Sequence, residues 1–326
     1  MILPRTPLPL RIEAYTPAQK AAVVRVFQDL TSSFPYVAEM TAALFEERVS
    51  NKAYFDPQSL LIGYRGDRAL GLFHGTFGPP REKDQALDGT RGNIRLLLFP
   101  PEDVVLGNAL LEQGLTYLQA QGAREILGWS SFAGYPFYKG IYMGTEPVLA
   151  TNLPHVIVRL VQKGFQLQQH SIFLSRMLDA EVPFSLVNQS LDLRDEALVF
   201  RSAWQKESWY GLQPQQIHAL IDGEQVGQLL WALLPDLRSK RGHLVGSIAS
   251  LSVNPHFQRR GIGKTLVAAA LNRMYAAGAR EATVATTQDN TAALHTYYAW
   301  GFVEKELLLG YGYQVPKTAP ASQKEV

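Results

Sequence analysis

Leu251-Ser-Val-Asn-Pro-His-Phe-Gln-Arg-Arg-Gly-Ile-Gly-Lys-Thr-Leu-Val267 decides how the rest of this 326-residue chain is read. A strand ends at Val253, and a helix starts where two glycines, Gly261 and Gly263, stand. That helix carries Leu266, Val267, Ala270, Leu271 and Met274 on one stripe, an amphipathic pattern. The amides of a first helical turn have no intrahelical partner, and the helix dipole adds partial positive charge there. Glycine lets the main chain approach an anion with no side chain in the way. Arg259, Arg260 and Lys264 add charge nearby, so the segment reads as a cradle for phosphate oxygens.

Two kinds of phosphate loop compete for this stretch. Gly263-Lys264-Thr265 matches the close of a nucleotide-binding P-loop, Gly-x-x-x-x-Gly-Lys-Thr, but the required first glycine falls on Gln258. No convincing magnesium-binding aspartate ends a later parallel strand either. Gln258-x-x-Gly261-x-Gly263 instead resembles the Gln/Arg-x-x-Gly-x-Gly/Ala signature that follows the fourth strand in the GNAT superfamily of acyltransferases. The resemblance continues in Asn290-x-x-Ala293-x-x-x-Tyr297-x-x-x-Gly301-Phe302, with a strand at Glu281–Thr286 between the two motifs. It is close from Ile217 to Phe302; the first half shares the layout only.

The resemblance implies an N-acyltransferase that moves an acyl group, acetyl in the first instance, from acetyl-CoA to a primary amine. By resemblance, Gln258, Arg259, Arg260, Gly261, Ile262, Gly263, Lys264 and Thr265 hold the coenzyme A pyrophosphate. Leu251 and Val253 offer main-chain groups to the pantetheine arm, as a sheet edge does to an added strand, and Asn290 contacts that arm. Tyr297 stands where many relatives use a tyrosine as general acid toward the departing thiolate; Tyr298 faces elsewhere on the helix. Many relatives also carry a carboxylate base at the positions of Ala249 or Ser250, and this chain has none. Water held by Ser250 or Ser252, or Glu207, His218 or His295, then stands as proton acceptor. The same residues also fit a non-catalytic acyl-CoA-binding sensor or scaffold.

The chain repeats itself. Ala277-Gly-Ala-Arg-Glu281 matches Gln121-Gly-Ala-Arg-Glu125 at an offset of 278 − 122 = 156, and Gly263 then falls on Gly107. At that offset Gln-Arg-Arg-Gly-Ile-Gly becomes Glu102-Asp-Val-Val-Leu-Gly107, with Val105 in place of the first glycine. Carboxylates repel a pyrophosphate and the valine blocks its approach, so the first copy reads as degenerate. The expected fold is α/β: two tandem GNAT-like domains, each a mixed, mostly antiparallel sheet flanked by helices. Residues 1–178 form the degenerate domain and 179–326 the catalytic one binding acyl-CoA, with the break near Leu178–Pro183. Gly164-Phe165 matches Gly301-Phe302 at an offset of 137, which leaves 156 − 137, roughly 19, extra residues at Ser131–Leu149 of the first half. The aromatics there, Phe132, Tyr135, Phe137, Tyr138 and Tyr142, form either a self-packed loop or a wall of an acceptor pocket at the junction of the halves.

Composition sets the outer limits. The chain is 46% hydrophobic and 18% charged, enough to build real cores. It holds no cysteine, which excludes disulfides, thiolate nucleophiles and cysteine-ligated zinc, and no metal site is expected. A net charge of +2 argues against a nucleic-acid partner. No apolar run approaches the roughly 20 residues that span a bilayer, so no membrane partner is expected. The start lacks the order of a signal peptide, and a soluble cytoplasmic protein is the expectation. The basic run Arg238–His243 reads as a solvated loop, or more sharply as a contact for the coenzyme 3′-phosphate. The acceptor is expected to be a small-molecule or peptide amine, and the chain a monomer whose paired domains imitate a dimer.

Overall fold

The computed structural model describes residues 8–79, 87–129, 136–142, 144–145, 149–150, 152–183 and 191–316. The first half runs β1 (Leu10–Ala14), α1 (Lys20–Thr31), α2 (Ala42–Phe45), β2 (Leu60–Arg65), β3 (Arg68–Phe77), β4 (Arg91–Leu98), α3 (Val104–Ala120), β5 (Glu125–Gly128), β6 (Leu149–Ala150), α4 (Pro154–Gln162) and β7 (Gln166–Met177). The second runs β8 (Leu191–Ala197), α5 (Ala203–Trp209), β9 (Gln215–Ile221), β10 (Glu224–Leu234), α6 (Arg238–Arg241), β11 (Leu244–Val253), α7 (Ile262–Ala276), β12 (Ala279–Thr287), α8 (Thr291–Ala299) and β13 (Val303–Gln314). Two hairpins form, β2–β3 and β9–β10, the second turning on left-handed Asp222 and Gly223, an Asp-Gly pair of the kind such turns favour.

The repeat read from the sequence is a repeat of packing. A Cβ at Gly71 would stand 2.6 Å from Leu110 Cδ1, and one at Gly227 would stand 3.1 Å from Leu266 Cδ1. Both members of each pair are related by the same offset (227 − 71 and 266 − 110 are both 156), so α3 and α7 lie against their sheets through equivalent contacts. β4 pairs in parallel with β5, and β11 with β12; the other pairings are antiparallel.

What the repeat does not foretell is how the two sheets join. The strand order is β1-β2-β3-β4-β5-β13-β7-β12-β11-β10-β9-β8, one continuous sheet. β13, the last strand of the second half, pairs with β5 of the first (Tyr311↔Gly128). β7, the last strand of the first half, pairs with β12 of the second (Leu174↔Val284). The halves therefore exchange their final strands, and β7 and β13 pair with each other at the centre.

One core lies between the second-half sheet and α7, where Leu266, Val267, Ala270, Leu271 and Met274 are all buried. The other fills the first half and continues across the junction to Leu212, Ala232, Leu234 and Val245 of the second. The insertion belongs to this core. Phe137, Tyr138 and Tyr142 are buried in it, and Tyr138 stacks on Phe27 with ring centroids 6.4 Å apart and bonds His74 Nδ1 at 2.9 Å. The described aromatics of the insertion thus pack inward instead of walling a pocket; Phe132 and Tyr135 lie outside the described residues. Buried basic side chains lock the junction. Arg48 Nη2 donates to Gly211 O at 2.6 Å and Asp236 Oδ2 at 2.8 Å, and Lys52 Nζ donates to Glu207 O at 2.6 Å.

Candidate active site

Pairing between β11 and β12 stops at Ile248↔Val284, although β11 runs on to Val253 and β12 to Thr287. The strands part there because β11 stays with β10 while β12 stays with β7. At the fork β10 opposes Leu230 to Ser250 and Trp231 to Ile248, which leaves Ala249 as a bulge residue. The bulge inverts the pleat. Gly246 lies against Met274 of α7 before it, whereas Leu251 and Val253 lie on the α7 side after it, each within 4 Å of a Cβ built on Gly263. A groove of about 750 Å³ opens between the end of β11, the start of α7 and the start of α8.

The groove collects most of the expected cofactor residues: Leu251, Val253, Gln258, Arg259, Gly261, Ile262, Gly263, Lys264 and Asn290 all line it. Gly261 is left-handed at φ 81°, Arg259 is left-handed at φ 59°, and no side chain caps the start of α7. The first amides of that helix are therefore not covered from within. A Cβ at Gly263 would meet Val253 and Leu251 at ordinary contact distances of 3.8 and 3.9 Å. Nothing inside the protein requires glycine there, and the space beside it belongs to the groove. These features fit a diphosphate ester held on main-chain donors.

Three expected residues stand apart from the lining. Arg260 rests its guanidinium over the Phe257 ring at 5.1 Å. Thr265 is buried and its Oγ1 donates back to Gly261 O at 3.3 Å. Tyr297 is 3% exposed and meets Phe302 edge-on at 5.6 Å. It shares a face of α8 with groove-lining Asn290 and Ala293, deeper in, and burial raises its phenol to about 12. Asn290 also caps α8, accepting from Ala293 N at 3.2 Å. Val253 O, expected to be open to the cofactor arm, accepts from Gln258 Nε2 at 3.1 Å, so that the motif glutamine braces the strand end. Tyr298 is exposed and bonds Glu304. None of Glu207, His218 and His295 lines the groove; Ser252 does. Glu207 Oε2 accepts from Ala53 N of the first half at 3.3 Å, and His218 Nε2 lies 3.6 Å from Glu196.

The basic run is not a simple solvated loop, nor does it reach the groove. It forms α6, and Arg241 Nε, at 2.9 Å, and His243 Nε2, at 3.0 Å, both meet buried Glu281 near the start of β12, away from the start of α7.

The first half builds the corresponding place differently. Its β4–β5 pairing ends at Ile94↔Gly128, and a bulge leaves Arg95 in the position that Ala249 holds in the second half. At the start of α3, Asp103 accepts from Leu106 N at 3.0 Å and pairs with Arg65 at 2.7 and 2.9 Å. A carboxylate of the chain itself thus occupies the helix start that α7 leaves uncapped. Gly107 is closed over by the Phe99 ring, 2.4 Å from where its Cβ would be.

An uncapped helix start beside forked parallel strands agrees with the family model that matches residues 183–302, the acetyltransferase (GNAT) family. Those residues form a GNAT-family domain.

Around the GNAT domain, the whole chain has the tandem GNAT fold. It aligns with a tandem GNAT protein from the clavulanic acid biosynthesis pathway at TM-score 0.66 and 12% identity, covering 95% of this chain and 100% of that one. It aligns with an N-acetyltransferase from Sphaerobacter thermophilus at TM-score 0.65 and 15% identity, covering 94% and 96%. A mycothiol acetyltransferase from Gordonia bronchialis is 38% identical over 68 residues, 21% of this chain and 22% of that protein. One from Sanguibacter keddieii is 37% identical over 81 residues, 25% of each. This chain therefore matches only about a quarter of the length of these two curated relatives. Among the described residues, no helix is long and apolar enough to cross a membrane.

The GNAT domain also uses residues that the motifs did not single out. Phe257, Ala292 and Thr296 line the groove, and Trp300 Nε1 donates to Lys264 O at 2.9 Å, tying the two helices together. Ala292 and Thr296 are four apart and so share a face of α8, beside the one that carries Ala293 and Tyr297. No local signal marks the Trp300 contact.

Proposed function

We propose that the GNAT domain binds acetyl-CoA in the groove and transfers its acetyl group to a primary amine, within a division of the chain into domains 1–178 and 179–326. The observation that carries this reading is the uncapped start of α7, opening on a groove bounded by the unpaired end of β11. Bound acetyl-CoA would supply an activated thioester. The amides of the first turn of α7 and the Lys264 ammonium would hold the pyrophosphate, and Gly263 admits it to the main chain. The end of β11 would hold the pantetheine arm alongside Asn290. Tyr297 remains a neutral O–H at physiological pH, because burial holds its phenol at about 12, and so can donate a hydrogen bond or proton to the leaving sulfur. Water at Ser250 or Ser252 would take the proton of the attacking amine.

The first half is read as having lost coenzyme binding, on the strength of the Asp103 cap and the Phe99 ring over Gly107. The matched mycothiol acetyltransferases favour a small-molecule acceptor over a protein. Titration calorimetry tests the reading: one acetyl-CoA per chain is expected, followed by thiol release when an amine is added. Two equivalent sites, or no binding at all, would overturn it. Binding with no release across a broad amine panel would make the domain a sensor.

A further inference from the structure

The exchange of final strands puts first-half residues beside the reacting point of the second half. β12 borders the fork, and its far neighbour is β7, with Thr287↔Ser171, Thr286↔Ile172 and Ala285↔Phe173 as partners. Side chains alternate across a sheet, so Ser171, Phe173 and Ser175 share one face of β7. That face is turned toward the first half, since Phe173 belongs to its core and Ser175 Oγ lies 3.1 Å from the Tyr36 hydroxyl. Partners directly opposite lie on the same face, which adds Ala285 and Thr287 of β12. α7 and α8 cover the other face, where the coenzyme groove lies.

On the first-half face, the row at Phe173 is apolar and closed: a Cβ on Gly144 would stand 3.3 Å from the Phe173 ring and 3.5 Å from Ser247 Oγ. The rows further along become polar. Ser171 and Gln169 are buried, and Gln169 Nε2 donates to Ser171 Oγ at 2.9 Å. Thr287 stands next to Ser171, three residues beyond Val284 where the strands part, roughly 10 Å along the strand. That is the reach of a small acceptor whose amine sits at the fork. Ser171 accepts from Gln169 and keeps its own O–H to donate, and a hydroxyl held in a buried face selects for a ligand that bonds it.

We infer that Gln169, Ser171 and Thr287 form the acceptor-recognition wall of the GNAT domain, and that they select amines whose neighbouring body carries hydroxyl groups. The first half contributes this wall through the strand it lends, not through the aromatics of its insertion. The inference rests on the transferase reading above. Glucosamine, spermidine and a lysine peptide serve as probes, with thiol release from acetyl-CoA as the readout in the full chain. Glucosamine should be the best of the three. Ser171→Ala and Thr287→Val should each raise its KM roughly 3- to 10-fold, the range of one lost neutral hydrogen bond, with kcat and acetyl-CoA affinity unchanged. Thr287→Ser, which keeps the hydroxyl, should restore KM; a merely structural role would not separate these two variants. Spermidine or the peptide as the better acceptor, or an unmoved KM in both folded variants, overturns this inference alone. No release with any probe, from protein that binds acetyl-CoA, overturns the transferase reading and this inference with it.

Discussion

Tyr36 of the first half donates its hydroxyl to Glu281 Oε1 of the second at 2.7 Å, across 245 positions of sequence. Glu281 is fully buried and also meets Arg241 and His243, while the Arg241 guanidinium lies 4.6 Å from the Tyr36 ring centre. Burial alone would raise this carboxyl, but the hydrogen bonds from His243, Tyr36 and Arg241 outweigh it and hold it below the ordinary glutamate value. One carboxylate thus fastens the start of β12 to the loop after α1.

Removing that hydroxyl leaves a buried carboxylate short of a donor. Tyr36→Phe should destabilise the chain by about 1–3 kcal/mol in urea unfolding, with acetyl-CoA affinity little changed. The sign of the pH effect follows from the lowered carboxyl. It contributes stability above the unfolded value, ordinarily 4.5, and loses it as pH falls through the folded value. With one donor gone, the acid limb of the melting curve should move to higher pH. Superimposable acid limbs would remove Tyr36 from the account.

Gly263 separates stability from binding. Its Cβ would meet only ordinary contacts and its backbone is helical, so Gly263→Ala should leave stability unchanged or raise it by up to about 1 kcal/mol. Alanine also satisfies the Gly/Ala position of the signature, so acetyl-CoA binding should hold in Gly263→Ala and fall about 10-fold or more by calorimetry in Gly263→Val, whose branched side chain would occupy the groove beside the helix start. Full affinity in the valine variant would mean that the pyrophosphate lies elsewhere.

Tyr297→Phe keeps the ring against Phe302 and removes only the hydroxyl. If the phenol assists the leaving sulfur, kcat should fall roughly 10-fold or more while acetyl-CoA affinity holds. Because burial puts the phenol at about 12, its ionisation should produce no descending limb in the rate below about pH 10. An unchanged kcat in folded protein would reduce Tyr297 to a packing residue.

In the first half, Asp103→Ala removes the cap of α3 and the partner of Arg65. The cost should be about 1–2 kcal/mol of unfolding free energy, with the stoichiometry of acetyl-CoA still one per chain. A second molecule bound by wild-type protein, or one lost in the variant, would contradict the division of labour between the halves.

The sequence by itself determined what is local. Gly261 and Gly263, the stripe of α7 and the hairpin at Asp222-Gly223 act within a few residues, where backbone freedom and helical period leave little choice. It also determined the repeat, because equivalent contacts such as Gly71 with Leu110 and Gly227 with Leu266 need equivalent residues at equal spacing. Only the tertiary structure decided which strand lies beside which. β7 and β13 follow a Gly-Phe step in each half, and both fit antiparallel against either β5 or β12. Main-chain pairing is blind to which copy supplies the strand, so the choice falls to contacts far apart in sequence, such as Tyr36 with Glu281 and Arg48 with Gly211. The same reason hid Gln169 and Ser171. They carry no motif, and they come to the fork only because their strand crosses to the other half.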